Sequence, residues 1–150
     1  MKRNIKTIAI IGGGPSGCSI ATLLKRKGYT VAVFHLEKRP EIIVGESLVP
    51  AIIPYLRKLG VEDEVKSYST YRPGPPVWVN KDEEATSAFS VGGGGLPPYA
   101  YNVPRIKFDK TIFDLAVKEG VTFFSHAAKL EQVGNSDELK LSDDTLVAIN

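Results

Sequence analysis

The chain has 150 residues, 43% apolar and 24% charged, which suffices for one compact domain and excludes a disordered, collagen-like or disulfide-held chain. Its 19 Lys and Arg against 17 Asp and Glu leave a net charge of +2, whereas gripping a phosphate polymer takes a concentrated basic surface, so nucleic acid is not expected as a partner. A single cysteine, Cys18, rules out an internal disulfide and suits a reducing compartment such as the cytoplasm.

Residues 1–6 are basic, but the apolar run 8–11 is stopped by glycine, short of the ~7–15 apolar residues of a secretory signal. No stretch approaches the ~20 apolar residues that span a bilayer. A soluble, unprocessed chain is expected. Residues 5–11 (IKTIAII) form a nearly continuous β-branched run, the pattern of a strand buried on both faces of a parallel sheet. Residues 15–27 follow with helical spacing: Ile20, Leu23 and Leu24 make an apolar stripe, Lys25, Arg26 and Lys27 suit the negative end of the helix dipole, and Gly28 suits the stop. Residues 30–36 (TVAVFHL) give a second buried strand and complete a βαβ unit with a right-handed crossover.

Residues 50–59 predict a second helix closed by Gly60, and Pro54 requires it to begin near Pro50, since proline deep in a helix costs about 3 kcal/mol. Residues 67–101 hold most of the prolines and read as an irregular antiparallel excursion, with residues 77–79 (VWV) and 88–91 (AFSV) as short strands. A third helix is expected over residues 105–119, with Phe108, Ile112, Leu115 and Ala116 on one side and Gly120 as its stop. Residues 121–124 are β-rich, and residues 139–141 and 146–149 flank Ser-Asp-Asp-Thr as a hairpin.

The sequence Gly12-Gly-Gly14-Pro-Ser-Gly17 fits G-x-G-x-x-G and stands between a buried strand and a helix. There Gly12 allows the tight turn, Gly14 the close approach of a pyrophosphate, and Gly17 the packing of helix on strand, while the helix start, with Pro15 and Ser16, presents N–H groups to the phosphates. Glu37 follows Gly17 by 20 residues, the ~20 expected for a carboxylate that accepts hydrogen bonds from a ribose. Such a carboxylate repels a 2′-phosphate and favours FAD or NAD over NADP. Lys38 and Arg39 beside it either soften that repulsion or are solvated charges at a strand end.

His35 and His126 are isolated histidines with no Cys or carboxylate at ligand spacing, so no metal site is expected, and both read as packing residues. Cys18 reads as a small packing residue on the first helix.

The segments TIAIIGGGPSG, FHLEKRP, VGESLVPAIIPYLRKLGV and YNVPRIKFDKTIFDLAVKEGV together resemble the N-terminal part of FAD-dependent oxidoreductases of the aromatic-monooxygenase type. Within that group the chain is most similar to the flavin-dependent halogenases and their halogenase-like relatives, on the strength of Gly45-Glu-Ser47 followed by Pro50. The resemblance implies an α/β fold, with a Rossmann-like FAD-binding βαβ unit in a parallel sheet, the antiparallel excursion and a β-hairpin. Residues 1–150 would be the N-terminal part of an FAD-binding domain, with about residues 67–101 an insertion toward the substrate, and the remainder of the domain would lie in a longer protein. Gly45, Glu46 and Ser47 would lie against the flavin. Arg105, in the Val-Pro-Arg-x-x-Phe-Asp pattern, would reach the FAD; at a helix start its charge needs an anion nearby, which a pyrophosphate, Asp109 or solvent can supply.

Halogenases of this kind place a lysine in an early strand-rich segment to carry oxidised halide to the substrate, and the stretch STYRPGPPVWV has Arg72 there. A guanidinium stays protonated and cannot serve as the nucleophilic amine, although it can bind an anion, so halogenation itself is placed in doubt. The Trp-x-Trp-x-Ile-Pro signature of many halogenases is also absent. The expected function is that of an FAD-dependent oxidoreductase, monooxygenase or halogenase-like, acting on an organic small molecule, with NAD(P)H or a flavin reductase as electron source. The alternatives are a non-catalytic nucleotide-binding module or fragment and an NAD-binding dehydrogenase. No catalytic residue can be named from the sequence.

Overall fold

The structure is a computed structural model, and it describes residues 7–36, 43–74, 76–78, 84–86, 88–89, 95–133, 136–141 and 146–148. In chain order the elements are β1 (Thr7–Ile11), α1 (Pro15–Arg26), β2 (Thr30–Phe34), a 3-10 turn (Pro50–Ile52), α2 (Ile53–Leu59), α3 (Glu62–Tyr68), β3 (Thr70–Arg72), β4 (Pro76–Trp78), β5 (Glu84–Thr86), β6 (Ala100–Asn102), α4 (Arg105–Lys118), β7 (Thr122–Phe124), β8 (Ala128–Val133), β9 (Ser136–Leu141) and β10 (Leu146–Ala148). They fall into two compact units: Met1–Glu41 with Ile112–Asn150, and Ile42–Thr111. Helix α4 begins in the second unit and ends in the first.

The first unit is built on a parallel sheet in the order β1-β2-β7, with Ala9 opposite Ala32 and Ala32 opposite Thr122. Strand β2 lies in the middle and is the buried one, Val31, Val33 and Phe34 being almost wholly covered. Strand β1, expected to be buried on both faces, alternates between exposed and half-buried, and Ile11 keeps 52% of its surface open. The reason is position: among the described residues β1 has a partner strand on one edge only.

Helix α1 ends where its sequence demands. Lys25 and Arg26 occupy the last turn, and Gly28, at φ +86°, donates to the Lys25 carbonyl. The stripe expected on Ile20, Leu23 and Leu24 is corrected: Ile20 is 51% exposed, and the buried face is Cys18, Ala21 and Thr22. Small side chains on that face let the helix sit close to the sheet, which the bulkier stripe would not. The hairpin is present as β9 and β10, and β8, which the sequence did not suggest, pairs with β9 to make an antiparallel three-stranded sheet.

In the second unit, the 3-10 turn at Pro50 leads into α2 with Pro54 in its first turn, and Gly60 ends it at φ +81°. Ile53, Leu56 and Leu59 of α2 are buried, as are Val65, Tyr101, Val103 and Phe108. Helix α3 was not foreseen. Glu62, Asp63 and Glu64 in its first turn complement the helix dipole. The excursion is antiparallel as expected: β4, at the first of the two expected strands, pairs with β5, and β3 pairs with β6. Ala88 and Phe89 lie outside any strand, while Ser90 and Val91 fall outside the described residues. Among the described helices none is long and apolar enough to cross a membrane.

Candidate functional site

The glycine turn joins β1 to α1 as the spacing requires. Gly12 has φ +108°, a conformation that side chains disfavour, and its N–H donates to the Phe34 carbonyl at 2.8 Å, which ties the turn to the end of β2. A Cβ on Gly17 would stand 1.9 Å from the Gly12 carbonyl oxygen, so only glycine fits there. At Gly14 a Cβ would meet nothing within 4 Å: the space over the turn is open. Gly14 is the N-cap of α1 and no side chain caps the helix. With Pro15 and Ser16 the helix start thus has the form of an anion cradle.

Cys18 is buried and its thiol donates to the Gly13 carbonyl at 3.3 Å, in keeping with a packing role. His35 packs its ring edge-on against Phe113 and Phe123, each at 5.6 Å, and a Cβ on Gly13 would come within 2.9 Å of it. That fixes His35 as a wall of the turn. Glu37, Lys38 and Arg39 lie outside the described residues. No cluster of three His, Cys, Asp or Glu that could hold a metal occurs among the described residues.

The second unit gathers the other predicted residues. The segment containing Gly45, Glu46 and Ser47 has no helix or strand of its own; β6 lends it hydrogen bonds. The Val103 N–H donates to the Glu46 carbonyl at 2.8 Å, the Leu48 N–H donates to the Tyr101 carbonyl at 2.9 Å, and Ser47 forms an antiparallel bridge with Asn102. Arg105 closes this segment against α4. Its Nη1 donates to the carbonyls of Val44 and, at 3.3 Å, of Gly45, while Nε donates to Asp109 Oδ1 at 3.0 Å. Gly45 sits at φ +92°, and a Cβ there would lie 2.7 Å from Arg105 Nη1. The anion that Arg105 needs at a helix start is therefore supplied by Asp109, 5% exposed, within the same helix.

Residues that sequence reasoning missed complete this region. Asn102 Oδ1 accepts from Ser47 Oγ at 2.9 Å and from Arg72 Nη1 at 3.2 Å. On the other face of the β3–β6 ribbon, Tyr99 donates to Glu62 Oε1 at 2.6 Å, and Arg57 bonds both Glu62 Oε2 at 2.6 Å and the Tyr99 hydroxyl at 2.8 Å. Burial alone would raise the Glu62 carboxyl, but the hydrogen bonds from Tyr99 and Arg57 outweigh it and hold the group below the usual carboxylate range. Burial, with the Tyr99 and Glu62 groups beside it, pushes the Tyr101 hydroxyl up to about 12. Tyr71 stacks on Tyr99 at 5.5 Å. The register of β3 with β6 sets Tyr71 opposite Tyr101, a pairing that nothing in the sequence alone shows.

Strand, glycine turn, helix and parallel strand together define a dinucleotide-binding α/β fold of the Rossmann type. Residues 7–97 match the sequence model of the tryptophan halogenase family, and the chain belongs to that family. It is 34% identical over 116 residues to the flavin-dependent halogenase armH3 of Armillaria mellea, a match covering 76% of this chain and 23% of that protein. It is 33% identical over 124 residues to the sulochrin halogenase gedL of Aspergillus terreus, covering 81% of this chain and 22% of that one. The chain thus spans about a quarter of the length of the curated relatives it matches. Among solved structures, CmlS, a flavin-dependent halogenase, shares the fold with a TM-score of 0.79 at 24% identity, over 98% of this chain and 28% of that one. A flavoprotein/dehydrogenase from Cytophaga hutchinsonii aligns with a TM-score of 0.77 at 27% identity, over 97% of this chain and 37% of that one. The expected resemblance to halogenases and the expected fold class are both borne out.

Proposed function

We propose that this chain carries part of the FAD site of an FAD-dependent oxidoreductase of the halogenase type, acting on a small organic molecule and drawing electrons from NAD(P)H or a flavin reductase. The observation that supports it most is the glycine turn: Gly17 is excluded from bearing a side chain by the Gly12 carbonyl, while the space over Gly14 is open to a ligand. That is the shape a pyrophosphate cradle requires, and armH3 and CmlS, named above, are flavin-dependent halogenases. In this reading Gly12, Gly14, Pro15, Ser16 and Gly17 hold the pyrophosphate. Glu37 accepts from the ribose, with Lys38 and Arg39 beside it, and Gly45, Glu46, Ser47 and Arg105 serve the flavin side. Bound FAD would supply the redox chemistry; the chain's own residues bind and orient.

Halogenation is the reaction the named relatives favour, against the doubt that Arg72 raises from the sequence. Oxygenation or dehydrogenation is the second reading, and the observation behind it is Arg72, whose guanidinium cannot act as an amine nucleophile. The deciding experiment for the cofactor is the absorbance spectrum of the purified full-length protein. Oxidised-flavin bands are expected; a colourless protein that binds NAD would overturn the reading, and one that binds a nucleotide without turnover would favour a non-catalytic module.

A further inference from the structure

Arg72 ends β3 opposite Ala100 of β6, and its side chain shares one face of the ribbon with Asn102 and Ser47, since residues two apart on a strand point the same way. The tyrosines Tyr71, Tyr99 and Tyr101 occupy the opposite face and are bound up in the Glu62 and Arg57 network. Arg72 is half-buried; among the described residues its side chain forms one hydrogen bond, from Nη1 to Asn102 Oδ1 at 3.2 Å, and no carboxylate pairs with it. A guanidinium only donates, so the Asn102 atom facing it is Oδ1, and the Asn102 amide NH2 is turned away from both Arg72 and Ser47. Ser47 and Asn102 are both exposed. The result is a positively charged cluster with a surplus of donors, held in place by a shared acceptor and open on one side.

We propose that this cluster is an anion subsite that takes the carboxylate of the substrate. The planar fork of Arg72 matches a carboxylate edge, its single charge matches a monoanion, and the Asn102 amide stands ready as a further donor. The subsite rests on the oxidoreductase reading and narrows the substrate to an organic acid. It also gives Arg72 a task that needs no free amine.

The test uses the full-length protein, with benzoate as probe and the thermal midpoint as readout, and with flavin content measured in the same samples. Benzoate is expected to stabilise the protein saturably while benzamide, of the same shape and uncharged, does not. Arg72→Gln should weaken benzoate binding roughly tenfold or more, as removal of a charge-assisted hydrogen bond does, and Arg72→Lys should restore part of it. Asn102→Asp is the second variant: the new carboxylate still accepts from Ser47 and Arg72, so the ligand-free midpoint should hold or rise, yet benzoate binding should be lost because the charge is neutralised. If Arg72→Gln does not fold, Asn102→Asp decides. Failure of the wild type to bind benzoate would overturn the subsite. So would equal binding of benzamide, binding unchanged in either variant, or displacement of benzoate by equimolar bromide, which would mark a halide site. A colourless protein would refute the cofactor reading instead, and leaves the benzoate comparison intact.

Discussion

The Gly12 carbonyl oxygen lies where the Cβ of any residue larger than glycine at position 17 would have to go, 1.9 Å from its ideal place. The obstacle is backbone, which cannot rotate aside. Gly17→Ala should therefore push α1 from the turn and cost about 1–3 kcal/mol, the range for overpacking a tight site. Gly14→Ala meets nothing and, at φ −77°, adopts an ordinary conformation. Its thermal midpoint should stay near the wild type while FAD affinity falls. Thermal unfolding followed by circular dichroism, with bound flavin counted after gel filtration, separates the two outcomes.

Arg105→Ala should act on the second unit first. It removes the guanidinium that faces Asp109 and holds the carbonyls of Val44 and Gly45, and a loss of about 1.5–3 kcal/mol is expected for hydrogen bonds of this charged kind. Flavin retention should fall with it, because residues 45–47 lose their clamp. A variant with unchanged stability and reduced flavin would instead place Arg105 directly on the cofactor.

Acid and alkali should both act on the cluster around Glu62. Its carboxyl is held below the usual range, so it contributes stability above the unfolded value of about 4.3 and loses it as pH falls through the lower native value. The Tyr101 hydroxyl is raised to about 12, so it contributes below about pH 10 and loses that contribution as pH rises toward the native value. Glu62→Gln should flatten the acid limb of a stability profile, and Tyr101→Phe the alkaline limb. Denaturant midpoints measured across both limbs provide the check.

With reduced FAD, oxygen, bromide and an electron-rich aromatic acid, the full-length protein is expected to give the mass shift of a brominated product. That product should persist in Arg72→Gln at saturating substrate, with KM raised more than kcat is lowered, if Arg72 holds substrate rather than halogen. Product lost in Arg72→Gln and regained in Arg72→Lys would return the position to halogen transfer. An oxygenated or dehydrogenated product in place of the brominated one would establish the second reading.

The βαβ unit was legible because every part carries a local signal: β-branched runs, the G-x-G-x-x-G spacing, basic residues and Gly28 at the end of α1. Helix α4 was legible for the same reason, down to Gly120, at φ +81°, as its stop. Helix α3 escaped because it has seven residues and its N-cap position is Val61, whose side chain cannot cap. Strands β3 and β6 have three residues each, too few for an alternation to show, and their pairing is a long-range event. For that reason Asn102 carried no sequence signal. Apolarity in β1 told what the strand is able to bury; its one-sided neighbourhood decided what it does bury.

Because Arg72 and Ala100 stand opposite each other in the β3–β6 ladder, the chain leaves and re-enters that ladder at one point. Strands β3 and β6 therefore close a neck at which the chain between them departs and returns. Closing a flexible loop grows dearer only slowly with length, by about 0.6 kcal/mol for each doubling. An insertion or deletion between Arg72 and Ala100 is therefore expected to carry a small thermodynamic cost, while Asn102 keeps its pairing with Ser47 and Thr70. On the proposed reading this neck lets substrate preference change through the excursion, with the residues proposed to hold FAD left as they are.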